Sequence, residues 1–163
     1  MVRGSRGAHG VGPTARARFV RIDVDSLVMR GYALILFDGE CGLCSGVVRF
    51  VAARDTAGRF RFAALQGEVG RRECARLGVA MTAGPPDSIV VTTDCHAWLR
   101  SDAVLEIARR LPWPWRAALC LRAVPESLRD GAYRWVARHR VRWFGKADRC
   151  AAPTPQLRAR LLE

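Results

Sequence analysis

Residues 33–54, ALILFDGECGLCSGVVRFVAAR, decide the fold. Ala33-Leu34-Ile35-Leu36-Phe37 is a short continuous apolar run of the kind a buried strand shows, and Asp38-Gly39 breaks it as turn residues do. Beyond the break Val47, Val48, Val51 and Ala52 recur at helical spacing, with Arg49 and Arg54 among the polar positions between them. The stretch predicts strand, tight loop, helix, with Cys41 at or just before the helix start and Cys44 in its first turn. The unpaired N–H groups and positive dipole end of a helix stabilise a thiolate at that place. Cys41 is therefore expected to be the better nucleophile and the more exposed sulfur, with Cys44 one turn on and close enough to close a disulfide on it.

A Cys-x-x-Cys pair is also half of a zinc site, but structural zinc wants four ligands, usually from a second Cys or His pair. Cys74, Cys95, Cys120 and Cys150 stand singly, and His9, His96 and His139 are far apart in the chain. A redox pair is the reading adopted, because a CxxC at a strand-to-helix turn is the thioredoxin-like arrangement; a zinc-binding domain is an alternative. No metal and no organic cofactor is implied.

Asp38-Gly39-Glu40-Cys41-Gly42-Leu43-Cys44 resembles the DGxCxLC signature of the DCC family of predicted thiol-disulfide oxidoreductases. Pro86-Asp87-Ser88-Ile89-Val90, Ser101-Asp102-Ala103-Val104-Leu105, Val124-Pro125 and Arg142-Trp143-Phe144-Gly145-Lys146, ending in Cys150, resemble it in order and spacing, over about residues 32–155. The resemblance implies a thioredoxin-like fold and an oxidoreductase role, a reaction class without a substrate. It also raises the alternative that Cys150, otherwise a tail residue, folds back to the pair as a third thiol. Pro86 stands near the place where thioredoxin-like proteins carry a cis-proline, though not directly at the strand start. Asp38 is placed either to relay a proton to or from Cys44 or to cap the loop by accepting backbone N–H bonds.

The chain of 163 residues is long enough for one domain with a core, and half of its residues are hydrophobic. The formal charge is +12, carried almost wholly by arginine, since Lys146 is the only lysine. Arginine favours bidentate contact with phosphate and carboxylate, which admits anionic partners or an anionic membrane surface; that the excess simply sits on solvated faces of an arginine-rich protein is the reading adopted. Six cysteines so irregularly spaced do not make a disulfide scaffold and read as reduced thiols in a cytoplasmic protein. No segment approaches the roughly 18 consecutive apolar residues of a membrane span. Arg16, Arg18, Arg21, Asp23 and Asp25 interrupt any signal-peptide core near the start.

Residues 1–30, rich in Gly, Arg and Ala, read as a disordered basic extension with too little clustering for specific nucleic-acid binding. Residues 31–111 form the expected redox core. Arg59 to Ala63 alternates as a half-buried strand, so strand, helix and strand make a βαβ unit with a parallel pair. Glu68 to Leu77 is a short helix with Cys74 on its core side. Ser88 to Thr92 is a strand that pairs back, through a turn holding Cys95 and His96, with Ala97 to Arg100. Ser101 and Asp102 read as the N-cap of a helix running to Leu111. Residues 112–150 add a helical C-terminal subregion, with helices at Trp115–Ala123 and Glu126–Arg140 broken at Pro125, and residues 151–163 are a tail. Trp113, Trp115, Trp135 and Trp143 either form an amphipathic surface for a membrane or partner protein or cap the core, and capping is the reading adopted. His139 reads as a helix-surface or core residue.

The fold class expected is α/β, a thioredoxin-like mixed sheet with flanking helices and an added helical C-terminal subregion. The expected activity is thiol-disulfide exchange by Cys41 and Cys44, with Asp38 beside them, on a disulfide or dithiol substrate, chiefly a protein. The alternative is a membrane- or partner-binding module built on the Trp-rich helices.

Overall fold

The structure is a computed structural model that describes residues 31–78, 89–93, 96–145 and 154–162. The basic extension, Pro86 and its neighbours, Cys95 and Cys150 lie outside the described residues. Five strands form one mixed sheet: β1 (Ala33–Phe37), β2 (Phe60–Ala64), β3 (Val90–Thr92), β4 (Ala97–Leu99) and β5 (Leu161–Leu162), in the order β4-β3-β1-β2-β5. Helices α1 (Gly42–Arg54), α2 (Glu68–Arg76), α3 (Arg100–Arg110), α4 (Glu126–Phe144) and α5 (Pro155–Arg158) flank it, with a 3₁₀ segment at Trp115–Ala123. This is the mixed α/β architecture expected, consistent with a thioredoxin-like fold.

The continuous apolar run of β1 has its physical reason in its place. It is the central strand, parallel to β2 with Ile35 opposite Phe62 and antiparallel to β3 with Ile35 opposite Val91, so both of its faces are covered. Ala33, Ile35 and Phe37 point to the face that packs α1 and α3, where Val48, Val51, Phe60, Phe62, Ile107 and Leu111 are buried with them. Leu34 and Leu36 point to the other face, with Leu65, Val90 and Cys74 of α2. Side chains as large as Phe60 and Phe62, both fully buried, contribute about 1.5–3 kcal/mol each by leaving water. Cys74 lies in this second core, as its helical position predicts.

Asp55 ties the ends of three elements together. Buried just beyond the end of α1, its carboxylate accepts from the backbone N–H groups of Arg59 and Phe60, both at 2.9 Å, and from Arg160 at 3.2 Å. It thereby fixes the turn into β2 and the approach of β5.

Several expectations need correction. Residues 151–163 are not merely a tail: Leu157 of α5 and Leu162 of β5 are buried, and β5 runs parallel to β2 with Phe62 opposite Leu161. The segment Trp115–Ala123 is wound as a 3₁₀ helix with i→i+3 bonds such as Ala117 N–H to Pro114 O, fitted between Pro114 and Pro125. Ser101 does not cap its own helix. Its hydroxyl instead donates to Asp130 of α4 at 2.6 Å, and the helix starts at Arg100, whose φ is +50°. Helix α4 continues past Arg140 to Phe144. Of the four C-terminal tryptophans only Trp115 packs on the core, edge-on to Phe50; Trp113, Trp135 and Trp143 are 74%, 51% and 48% exposed.

Candidate active site

Strand β1 ends at Phe37, and residues 38–41 turn the chain into α1. Cys41 is the N-cap of that helix, in extended backbone geometry, and its sulfur accepts from the Cys44 backbone N–H at 3.4 Å. A sulfur thus stands where an aspartate or serine oxygen caps most helices, at the positive end of a helix of thirteen residues. Cys44 lies one turn on, and both thiols are free.

The two sulfurs differ in their surroundings. Burial, reinforced by the hydrogen bond and the charge of Cys41, pushes the Cys44 thiol up from 9.0 to about 12, against the opposing field of Arg140 and the Asp38 backbone amide. Cys44 is held as a thiol. The expected exposure of Cys41 is corrected: both cysteines are buried, Cys41 at 2% and Cys44 at 4% relative exposure. The C-terminal end of α4 lies over the loop, with the Gly42 N–H donating to the carbonyl of Gly145 at 3.3 Å. A side chain at position 42 would overlap the carbonyl oxygen of Phe144, so glycine between the cysteines is what lets α4 come this close. Phe144 and Gly145, remote in sequence, are therefore part of the site.

Asp38 is 8% exposed and fully engaged. One carboxylate oxygen accepts from the Glu40 backbone N–H at 3.0 Å and from the side-chain amide of Gln66 at 2.8 Å. The other faces Arg140 of α4 at 3.5 Å, both side chains nearly buried. The carbonyl of Asp38 accepts from the Cys41 N–H at 3.2 Å. These contacts make Asp38 the brace of the loop.

Sequence reasoning missed Gln66 and Arg140. Gln66 was discoverable: it follows the strand parallel to β1, with Ala64 opposite Phe37, and its carbonyl oxygen accepts from Gly39 N–H at 3.2 Å. Arg140 is one arginine among many on α4 and carries no local signal. His139 stands on the helix surface, its ring stacked on Trp143 with centroids 5.3 Å apart. Among the described residues no group of three or more His, Cys, Asp or Glu is placed to hold a metal ion, and no helix is long and apolar enough to cross a membrane.

A mixed α/β sheet whose central strand delivers a CxxC to the N-terminus of the next helix defines the class of thioredoxin-like dithiol proteins. The chain belongs, within that class, to the DCC1-like thiol-disulfide oxidoreductase family, whose model matches residues 35–146, from β1 to just past α4. It is 36% identical over 129 residues to the uncharacterized protein YuxK of Bacillus subtilis, covering 79% of this chain and 93% of that one. It is 39% identical over 121 residues to a chloroplastic DCC family protein of Arabidopsis thaliana, At1g52590, covering 72% of this chain and 67% of the relative. No solved structure matches it.

Proposed function

We propose that the protein is a thiol-disulfide oxidoreductase in which Cys41 is the attacking sulfur and Cys44 the resolving one. The observation that carries this reading is the asymmetry of the pair. The Cys41 sulfur sits at the helix N-cap with an N–H aimed at it, while burial pushes the Cys44 thiol up to about 12. The Cys41 thiolate attacks one sulfur of a substrate disulfide, and the other substrate sulfur leaves as a thiolate that takes up a proton. Cys44 then loses its proton and attacks the Cys41 sulfur of the mixed disulfide, releasing the second substrate thiol. The substrate gains two electrons and two protons, and the pair ends as a disulfide; the reverse sequence oxidises a dithiol. Asp38 is a positioning residue, which through Glu40, Gln66 and Arg140 holds the loop that carries both sulfurs.

Reduction of insulin by the full chain, recycled with dithiothreitol, tests the reading. Cys41→Ser is expected to abolish the activity. Cys44→Ser is expected to accumulate a mixed disulfide through Cys41, visible by mass. Turnover by Cys41→Ser, or trapping at Cys44 in place of Cys41, would reverse the assigned roles.

A second reading concerns the partner surface and is compatible with the first. The exposed Trp135, Trp143 and Phe144 on arginine-rich α4 favour docking of that helix on an anionic membrane surface.

A further inference from the structure

Between α1, α3, the 3₁₀ segment and α4 the described residues leave a cavity of about 660 Å³, within the few hundred to about 1,000 Å³ that small-molecule sites occupy. Half-exposed Val104 and Leu121 and exposed Leu128 line it where it meets solvent, and Val51, Ile107 and Leu111 line its buried part. The polar groups in the wall are already engaged: the Ser101 hydroxyl bonds Asp130, the Tyr133 oxygen accepts from the Ile89 N–H at 3.1 Å, Arg129 donates to Asp102 at 2.8 Å, and Arg140 faces Asp38 at 3.5 Å. Such walls favour an apolar guest and charge a polar one for its lost hydration. Cys44 and Arg140 line this cavity, and Cys41 does not.

We infer that this cavity binds a small apolar thiol that reduces the oxidised Cys41–Cys44 pair by attacking Cys44. The inference rests on the redox reading of the pair and adds a reductant class to it. In a Cys41–Cys44 disulfide either sulfur can be attacked, and access decides between them. A thiol seated in the cavity meets Cys44, which forms part of its wall, and not Cys41. Attack there expels the Cys41 sulfur, which leaves as a thiolate at the helix N-cap, the place best suited to negative charge.

The atoms and electrons balance. The thiolate R–S⁻ bonds to the Cys44 sulfur as the Cys41–Cys44 bond breaks. A second R–S⁻ then attacks the R sulfur of that mixed disulfide and expels Cys44, which takes up a proton. Two R–SH become R–S–S–R, and the pair returns as two thiols.

The test uses the oxidised full chain and follows reduction of the pair by trapping its thiols with a mass-tagged maleimide. Benzyl mercaptan and 2-mercaptoethanol, thiols of similar acidity, are compared as reductants. The apolar thiol is expected to react about tenfold faster, the worth of burying its ring, and to saturate with concentration. Benzyl methyl ether, which cannot reduce, is expected to compete with it. Ala132→Phe, which fills the cavity from α4, is expected to bring the two thiols to one rate; should that variant not fold, the competition in the unaltered chain decides. Equal rates without saturation or competition overturn the inference and leave the redox reading standing, and are also the outcome if another part of this chain or a second copy fills the cavity. A disulfide that neither thiol reduces sinks the redox reading and this inference together.

Discussion

Cys44 couples the protonation of one thiol to the stability of the fold. An unfolded chain releases this proton near 9.0 and the folded chain only near 12, so between those values the folded state binds more protons. A raised value stabilises the fold fully below the unfolded one, and the contribution is lost as pH rises from 9 toward 12. Reduced protein is therefore expected to melt at falling temperature above pH 9, and Cys44→Ala to fall less steeply, by up to one proton in the slope. Cys74 and Tyr133, pushed up by their own burial, add slopes of the same sign in both proteins, so the difference between them is what reports on Cys44. Identical slopes would place the Cys44 proton outside the folding equilibrium. Which sulfur meets the dipole was legible from the position of the CxxC on its helix; how deeply either is covered was not, because that depends on α4 and the remote elements packed over the pair.

Among the elements, α4 governs access to the site. Gly42 receives the Phe144–Gly145 backbone, so Gly42→Ala is expected to push the end of α4 off the loop. The lost Gly42–Gly145 hydrogen bond and its surroundings are worth on the order of 1 kcal/mol, which should appear as a lower melting temperature. Alkylation of Cys41 in the native protein is expected to speed up, while Cys74, in the core on the other side of the sheet, serves as the unaffected control. An unchanged Cys41 rate would mean that reagent reaches the sulfur by a path α4 does not cover. The extent of α4 was partly legible: Gly145, at φ +67°, directly follows its last residue, as a terminating glycine should. What hid it was the density of arginine from Arg138 to Arg142, which leaves no apolar period to follow. The strand, turn and helix of residues 33–54, by contrast, were read closely, because a run buried on both faces and a run buried on one stripe carry different periods.

At the scale of the whole molecule, the proposed docking on an anionic surface rests on the charge of +12 together with the exposed aromatic residues of α4. Sedimentation with vesicles containing phosphatidylserine is expected at low ionic strength and is expected to fade with added salt, as exposed charges are screened within about 10 Å at 0.1 M. Trp135→Ala with Trp143→Ala should weaken it at every salt concentration. Absence of sedimentation, or indifference to the tryptophans, would remove the membrane surface from the account of α4. The return of residues 155–162 to the sheet escaped the sequence because a buried strand of two residues has no period to detect, and the arginine that anchors it, Arg160, is one of many.

The sheet thus ends on one side in a strand of three residues and on the other in a strand of two. Among the described residues neither margin presents the long row of open N–H and C=O groups onto which a further chain adds by strand pairing. In a protein half of whose residues are hydrophobic, edge strands this brief offer little template for fibrous self-assembly.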